Sequence, residues 1–97
     1  MGKYETNIEA YLVKISGVVT GVGFRYSAKA FVSQFPEVKG YVRNVCEGQV
    51  EALIQGKKEH LEAILAWFAH GPSHARVDSI KIDTVPTSKE LRCFMAK

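Results

Sequence analysis

The chain is short of most features that would mark an unusual class of protein. Two cysteines in 97 residues are too few for a disulfide scaffold. Cys46 and Cys93 form neither a C-x-x-C pair nor a zinc-knuckle spacing, so two partly buried thiols are expected. A disulfide between them depends on spatial proximity that spacing does not supply. No stretch approaches the roughly 20 uninterrupted apolar residues of a membrane span, so no membrane partner is expected. The segment Met1–Asn7 has no apolar signal core, which makes a cytoplasmic protein the default, although Gly2 and Thr6 do match the short myristoylation pattern. Charge of one sign is scarce as well: 13 Lys and Arg face 10 Asp and Glu, a net +3, and the longest basic run is Lys57-Lys58. That balance suits a small anionic ligand better than the continuous cationic stripe of a nucleic-acid binder, so no nucleic-acid partner is expected. Aspartate is limited to Asp78 and Asp83, both in the fourth strand, so no aspartate pair could hold magnesium.

What is present is an ordinary globular composition, 46% apolar and 10% aromatic. At this length one core suffices, with roughly 60–70% of the unfolded surface buried. A single domain over residues 1–97, acting as a monomer, is the expectation.

Hydrophobic periodicity divides the chain. Ile8 to Ser16 alternates, with Tyr11, Val13 and Ile15 on one face and Leu12 and Lys14 on the other, the two-residue period of a strand. Gly17, Gly21 and Gly23 interrupt it. From Phe24 the period becomes helical: Phe24, Ala28, Phe31 and Phe35 form one apolar stripe, which Pro36 ends. Tyr41 to Cys46 and Gln49 to Gln55 read as strands around a Glu47-Gly48 turn, with Val50, Ala52 and Ile54 on one face. Residues 57–70 form the clearest helix, with Leu61, Ile64, Leu65 and Phe68 at i, i+3, i+4 and i+7 before Gly71-Pro72. Val77, Ile80 and Ile82 mark a fourth strand, Pro86-Thr87-Ser88 a loop, and Arg92 to Met95 a short last strand. The order β-α-β-β-α-β with a short fifth strand predicts an α+β, ferredoxin-like sandwich: an antiparallel sheet with both helices on one face.

Several familiar chemistries are missing. Gly21-x-Gly23 has Tyr26 where a dinucleotide fingerprint needs its third glycine, and no P-loop lysine follows a glycine run. Neither cysteine has an arginine six residues later, as the cysteine phosphatases do. His70 and His74 are separated by Gly71 and Pro72, which break the helix that would align them on a metal; His70 is better read as a ring favoured near a helix C-terminus.

Two features remain. In Gly17-Val18-Val19-Thr20-Gly21-Val22-Gly23-Phe24-Arg25 a strand runs through glycines directly into a helix. Backbone N–H groups at such a junction can converge on an anion, and Arg25 adds a rigid cationic fork. On composition alone a plain glycine-rich turn with a surface arginine is the favoured reading, since loose glycine motifs match often by chance. Asn44 is the second feature, a neutral amide in a strand of Val, Tyr and Cys. It either satisfies a backbone group at the strand end or holds a water through its donor and acceptor. Arg43 points to the opposite face.

These residues carry a resemblance. Gly17 to Arg25 resembles the acylphosphatase signature Gly-x-Val-Gln-Gly-Val-x-Phe-Arg, with Thr20 in place of the usual glutamine. Gly40-Tyr41-Val42-Arg43-Asn44 with Gly48, Val50 and Gly56 resembles that family's second signature, and Gly71-Pro72, Ala75 and Val77 match the segment after its second helix. The resemblance implies hydrolysis of acyl phosphates to a carboxylate and inorganic phosphate, without metal or cofactor. It assigns the phosphate to Arg25 and to the N–H groups of Thr20, Gly21, Val22, Gly23, Phe24 and Arg25, and the attacking water to Asn44. Inorganic phosphate is then product and inhibitor. The competing reading is a non-catalytic module on the same sheet. An RNA-recognition sheet needs exposed stacking aromatics, and Tyr11 and Tyr41 are the only aromatics within the first three strands. A domain of this family that has lost its activity is the third reading.

Overall fold

The computed structural model describes residues 8–97, so the Met1-Gly2 pattern lies outside the described residues. The elements are β1 (Ile8–Val18), α1 (Phe24–Val32), β2 (Lys39–Cys46), β3 (Gln49–Lys57), α2 (Lys58–Phe68), β4 (Arg76–Val85) and β5 (Phe94–Ala96). The five strands form one sheet in the order β4-β1-β3-β2-β5. Among the described residues no helix is long and apolar enough to cross a membrane.

The alternation read from the sequence sets the register. Tyr11 pairs with Ile54, Val13 with Ala52 and Ile15 with Val50, so three apolar pairs stack along one face. Val42 joins them opposite Ala52. Phe24, Ala28 and Val32 from α1 and Leu61, Ile64 and Phe68 from α2 complete this buried layer. Burying those side chains stabilises the sandwich by roughly 25 cal/mol per Å² of apolar surface removed from water.

Three details depart from expectation. The sheet is mixed, because β5 runs parallel to β2, pairing Phe94 with Gly40 and Ala96 with Val42. The three antiparallel pairings leave β4 running opposite to β2, so the chain, reversing after β4 and crossing to the far edge, arrives in the direction of β2. That strand also begins at Phe94 rather than Arg92. Finally, α1 stops at Val32, a turn before Phe35. Pro36 has no N–H to donate and pushes Phe35 out of helical angles. The chain tightens instead, with Gln34 N–H donating to Phe31 O and Phe35 N–H to Val32 O. Within the helix, the fully buried stripe is Phe24, Ala28 and Val32, at i, i+4 and i+8. Phe31 and Phe35 are half-buried at its rim, Phe31 stacked on Trp67 with centroids 5.6 Å apart and Phe35 on His60 at 4.6 Å.

Both thiols are exposed rather than partly buried. Cys46 lies beyond the last helix-covered position of β2, and Cys93 precedes β5. Gly40 N–H donates to Cys93 O, which places Cys93 beside Gly40. Cys46 is six residues further along the same strand, about 20 Å away, so the two cannot pair.

Candidate active site

The site is built where β1 ends. Its pairing with β4 shifts register between Ser16 and Gly17, a bulge that brings the backbones so close that only glycine fits: a Cβ on Gly17 would lie 2.2 Å from Arg76 O. Val19 is buried and pins the next turn to the core, while Thr20 to Gly23 arch over the surface as a loop. Gly21 and Gly23 have φ of 74° and 78°, in the left-handed region. A Cβ at either would meet nothing within 4 Å, so backbone angle, not crowding, calls for glycine there.

Gly23 is the residue before α1, and the helix has no side-chain cap and no acidic residue in its first turn. The first helical bond, from Ser27 N–H to Gly23 O, leaves the preceding donors free of the helix. Among the described residues no acceptor pairs with the N–H groups of Thr20, Gly21, Val22, Gly23, Phe24 or Arg25. Open donors at the positive end of a helix dipole are the arrangement that favours an anion.

Arg25 is half-buried in the first turn, and its Nη1 donates to the backbone oxygen of Lys97 at 2.6 Å. Lys97 N–H in turn donates to Val42 O, so the far end of β5 couples the guanidinium to β2. Asn44 stands two residues further along that strand. It pairs with Val50, on the helix-facing side shared with Val42, but it is exposed at the strand's open end. The register then shifts between Asn44 and Cys46, a bulge that leaves Val45 unpaired beside Asn44. Arg43 takes the opposite face, where its Nη2 meets Glu51 Oε1 at 2.7 Å. The glycine loop and the open end of β2 thus lie at the same end of the sheet, with Ile15 of β1 and Asn44 of β2 flanking Val50 of β3.

Sequence reasoning missed two contacts here. Thr20 Oγ1 accepts a hydrogen bond from Gly48 N–H at 3.0 Å, and Lys97 supplies the oxygen on Arg25. Neither has a local signal, because the partners lie 28 and 72 residues apart.

Other candidates fall elsewhere. His70 and His74 are both exposed around Gly71, and among the described residues no cluster of three or more potential metal ligands forms. Tyr11 is buried under the helices, its OH donating to Glu9 Oε1 at 2.7 Å. Only Tyr41 of the two tyrosines stands on the open face, its OH held by Glu51 at 3.1 Å, so these two strand tyrosines display no pair for stacking bases. A separate surface cavity of about 270 Å³ at the other end of α1 is lined by Lys29, Phe35, Arg92 and Cys93, none of them from the glycine loop or β2.

The family model for acylphosphatase matches residues 11–95. The chain belongs to the acylphosphatase family. It is 39% identical over 90 residues to an acylphosphatase of Burkholderia thailandensis, covering 93% of this chain and 91% of the relative. The crystal structure of an acylphosphatase from Bacillus subtilis superposes with a TM-score of 0.85 at 25% identity, covering 92% of this chain and 98% of that one. A Coxiella burnetii acylphosphatase shares the fold at a TM-score of 0.87 and 24% identity, over 96% and 98% of the two chains. Acylphosphatases are hydrolases of acid anhydrides, and the substrate class that comes with membership is the acyl phosphates.

Proposed function

We propose that this acylphosphatase holds the phosphate of an acyl phosphate in the loop of Thr20, Gly21, Val22, Gly23, Phe24 and Arg25, and directs a water onto it from Asn44. The observation that carries the reading is the row of unpaired N–H groups at an uncapped helix start, with Arg25 in that helix's first turn. Such donors bind the equatorial phosphate oxygens and stabilise the charge that grows on them in phosphoryl transfer. Arg25 contributes two donors in a fixed fork, already oriented by its bond to Lys97 O.

Asn44 accepts a proton poorly, so its task is geometric: the amide holds a water through one donor and one acceptor. The water oxygen attacks phosphorus in line with the acyl oxygen, the phosphorus–acyl oxygen bond breaks, and the carboxylate departs with the bonding pair. The water's proton passes to a phosphate oxygen of the substrate itself. No general acid is required, because a carboxylate whose conjugate acid has a pKa near 4 leaves unaided. An alkyl phosphate would expel an alkoxide and is not a substrate for such a site. Neither metal nor cofactor enters these steps, and inorganic phosphate, the product, competes for the same donors. The chain works as a single domain and as a monomer.

Phosphate release from benzoyl phosphate in the presence of a chelator tests the reading. Turnover that persists with chelator and is inhibited by inorganic phosphate supports it. Its absence from folded protein, or turnover lost on chelation, overturns it.

A further inference from the structure

Gly48, in the turn between β2 and β3, bonds to both ends of the segment leading into the phosphate loop. Its carbonyl accepts from Gly17 N–H at 3.0 Å, and its N–H donates to Thr20 Oγ1 at 3.0 Å. The first bond joins two backbones and is indifferent to sequence. The second depends on the side chain at position 20, where the family signature carries glutamine and this chain a β-branched hydroxyl. Gly48 has φ of 83° and turns its peptide between the two partners, and a Cβ there would lie 3.5 Å from Gly17 O.

We propose that the Thr20 side chain is a positioning residue for this reaction, a clamp that fixes the phosphate loop relative to the hairpin carrying Asn44. The inference rests on the acyl phosphate reading above. That reading places the phosphate on the loop and the water on β2, two separate elements. In-line attack requires the reacting atoms at about 3–3.5 Å, and a displacement of about 1 Å costs on the order of 100-fold in rate. Asn44 reaches the turn through the bulge at Val45, an irregular stretch without a continuous ladder to hold it. The Gly48 peptide is bonded to the loop on that side of the hairpin, and Thr20 supplies one of its two bonds. The hydroxyl makes no demand on the Thr20 N–H, which stays available to the phosphate. Binding and alignment are therefore separable at this one residue.

Thr20→Val keeps the branched shape and removes the acceptor, while Thr20→Ser keeps the acceptor. With benzoyl phosphate, Thr20→Val is expected to lower kcat about tenfold or more. It should leave the inhibition constant for inorganic phosphate within about twofold. Thr20→Ser restores kcat. Hydrogen exchange read by NMR gives a measure independent of turnover: the Gly48 amide is protected in the parent and in Thr20→Ser, and loses protection in Thr20→Val. An unchanged kcat in Thr20→Val overturns the proposal, as does a parallel loss of kcat, phosphate binding and thermal stability that serine does not restore. If the parent itself turns over no benzoyl phosphate, the acyl phosphate reading has failed and the positioning role falls with it. Gly48 protection unaffected by valine then shows that the clamp is absent too.

Discussion

Arg25 Nη1 donates to the backbone oxygen of Lys97 at 2.6 Å, across 72 residues of chain. The guanidinium opening the first helix is thus braced by the last residue after β5, which is itself bonded to Val42 of the strand that carries Asn44. An arginine held this way presents its remaining donors in a defined direction. Arg25→Ala is expected to raise the barrier by about 2.7–4 kcal/mol, as loss of an oxyanion donor does. Inhibition by inorganic phosphate should weaken with it. Arg25→Lys keeps the charge but not the fork, and should recover binding better than turnover. Steady-state kinetics on benzoyl phosphate with phosphate as inhibitor check both.

Asn44 separates binding from chemistry in the opposite sense. Its side chain lies at the exposed end of β2, on the helix-facing side, while the loop donors belong to another element. Asn44→Ala should abolish turnover and leave phosphate inhibition nearly intact. Parental turnover by the variant would remove the water-positioning role.

The loop glycines make a third case. Gly21 and Gly23 occupy left-handed φ with open space where a Cβ would go. Gly21→Ala and Gly23→Ala should each cost about 1–2 kcal/mol in folding from backbone strain alone. Where the loop relaxes to escape that strain, its N–H groups no longer converge, so the phosphate inhibition constant rises. Thermal unfolding with and without phosphate measures both effects: phosphate should stabilise the parent, and the variants should lose that stabilisation.

How much of this was legible in the sequence differs from element to element. Tyr11, Val13 and Ile15 were readable because a strand buried on one face must alternate, and their partners Ile54, Ala52 and Val50 obey the same rule. The glycine loop and Arg25 were readable because unusual backbone angles and a helix start leave a local signature. Val32 escaped because Phe31 and Val32, at i+3 and i+4 from Ala28, both fit a helical stripe, and only the packing shows that the second of them faces fully inward. The parallel pairing of β5 escaped because periodicity carries no direction. The bonds of Thr20 to Gly48 and of Arg25 to Lys97 escaped because each joins segments that only the finished sheet brings together.

At the other end of the sheet, His60 Nδ1 lies 2.5 Å from Glu37 Oε2, tying α2 to the segment before β2. Burial alone would push the Glu37 carboxyl up. The bond from His60, backbone N–H groups of Glu37 and Lys57, and the charge of His60 outweigh it and hold the carboxyl below its ordinary 4.5. A carboxyl lowered in the folded state contributes stability above its unfolded value. That contribution is lost as the pH falls through the lowered folded value. His60→Phe keeps a ring against Phe35 but removes the bond, so Glu37 should titrate higher and the acid loss of stability should flatten. Carbon-detected NMR titration of the Glu37 carboxyl reads the first effect, and denaturant unfolding below pH 4.5 the second.

Tyr11 has the opposite sign at alkaline pH. Its OH donates to Glu9 Oε1 at 2.7 Å, and that bond, followed by burial and the charges of Glu9 and Glu62, pushes the phenol up to about 12 from 10.0. A raised folded value means that the folded state keeps the proton longer than the unfolded chain. The contribution is therefore complete below 10.0 and disappears as the pH climbs toward about 12. Tyr41 acts in the same direction, raised first by burial and then by its bond to Glu51. Tyr11→Phe should accordingly flatten the alkaline fall in unfolding free energy only in part, and Tyr41→Phe should remove a further share. The two tyrosines lie on opposite faces of the sheet, so the double variant should show nearly additive changes. Denaturant unfolding followed by tryptophan fluorescence from pH 9 to 12 measures this, and an unaltered slope in Tyr11→Phe would show that the phenol is not held by Glu9 in solution.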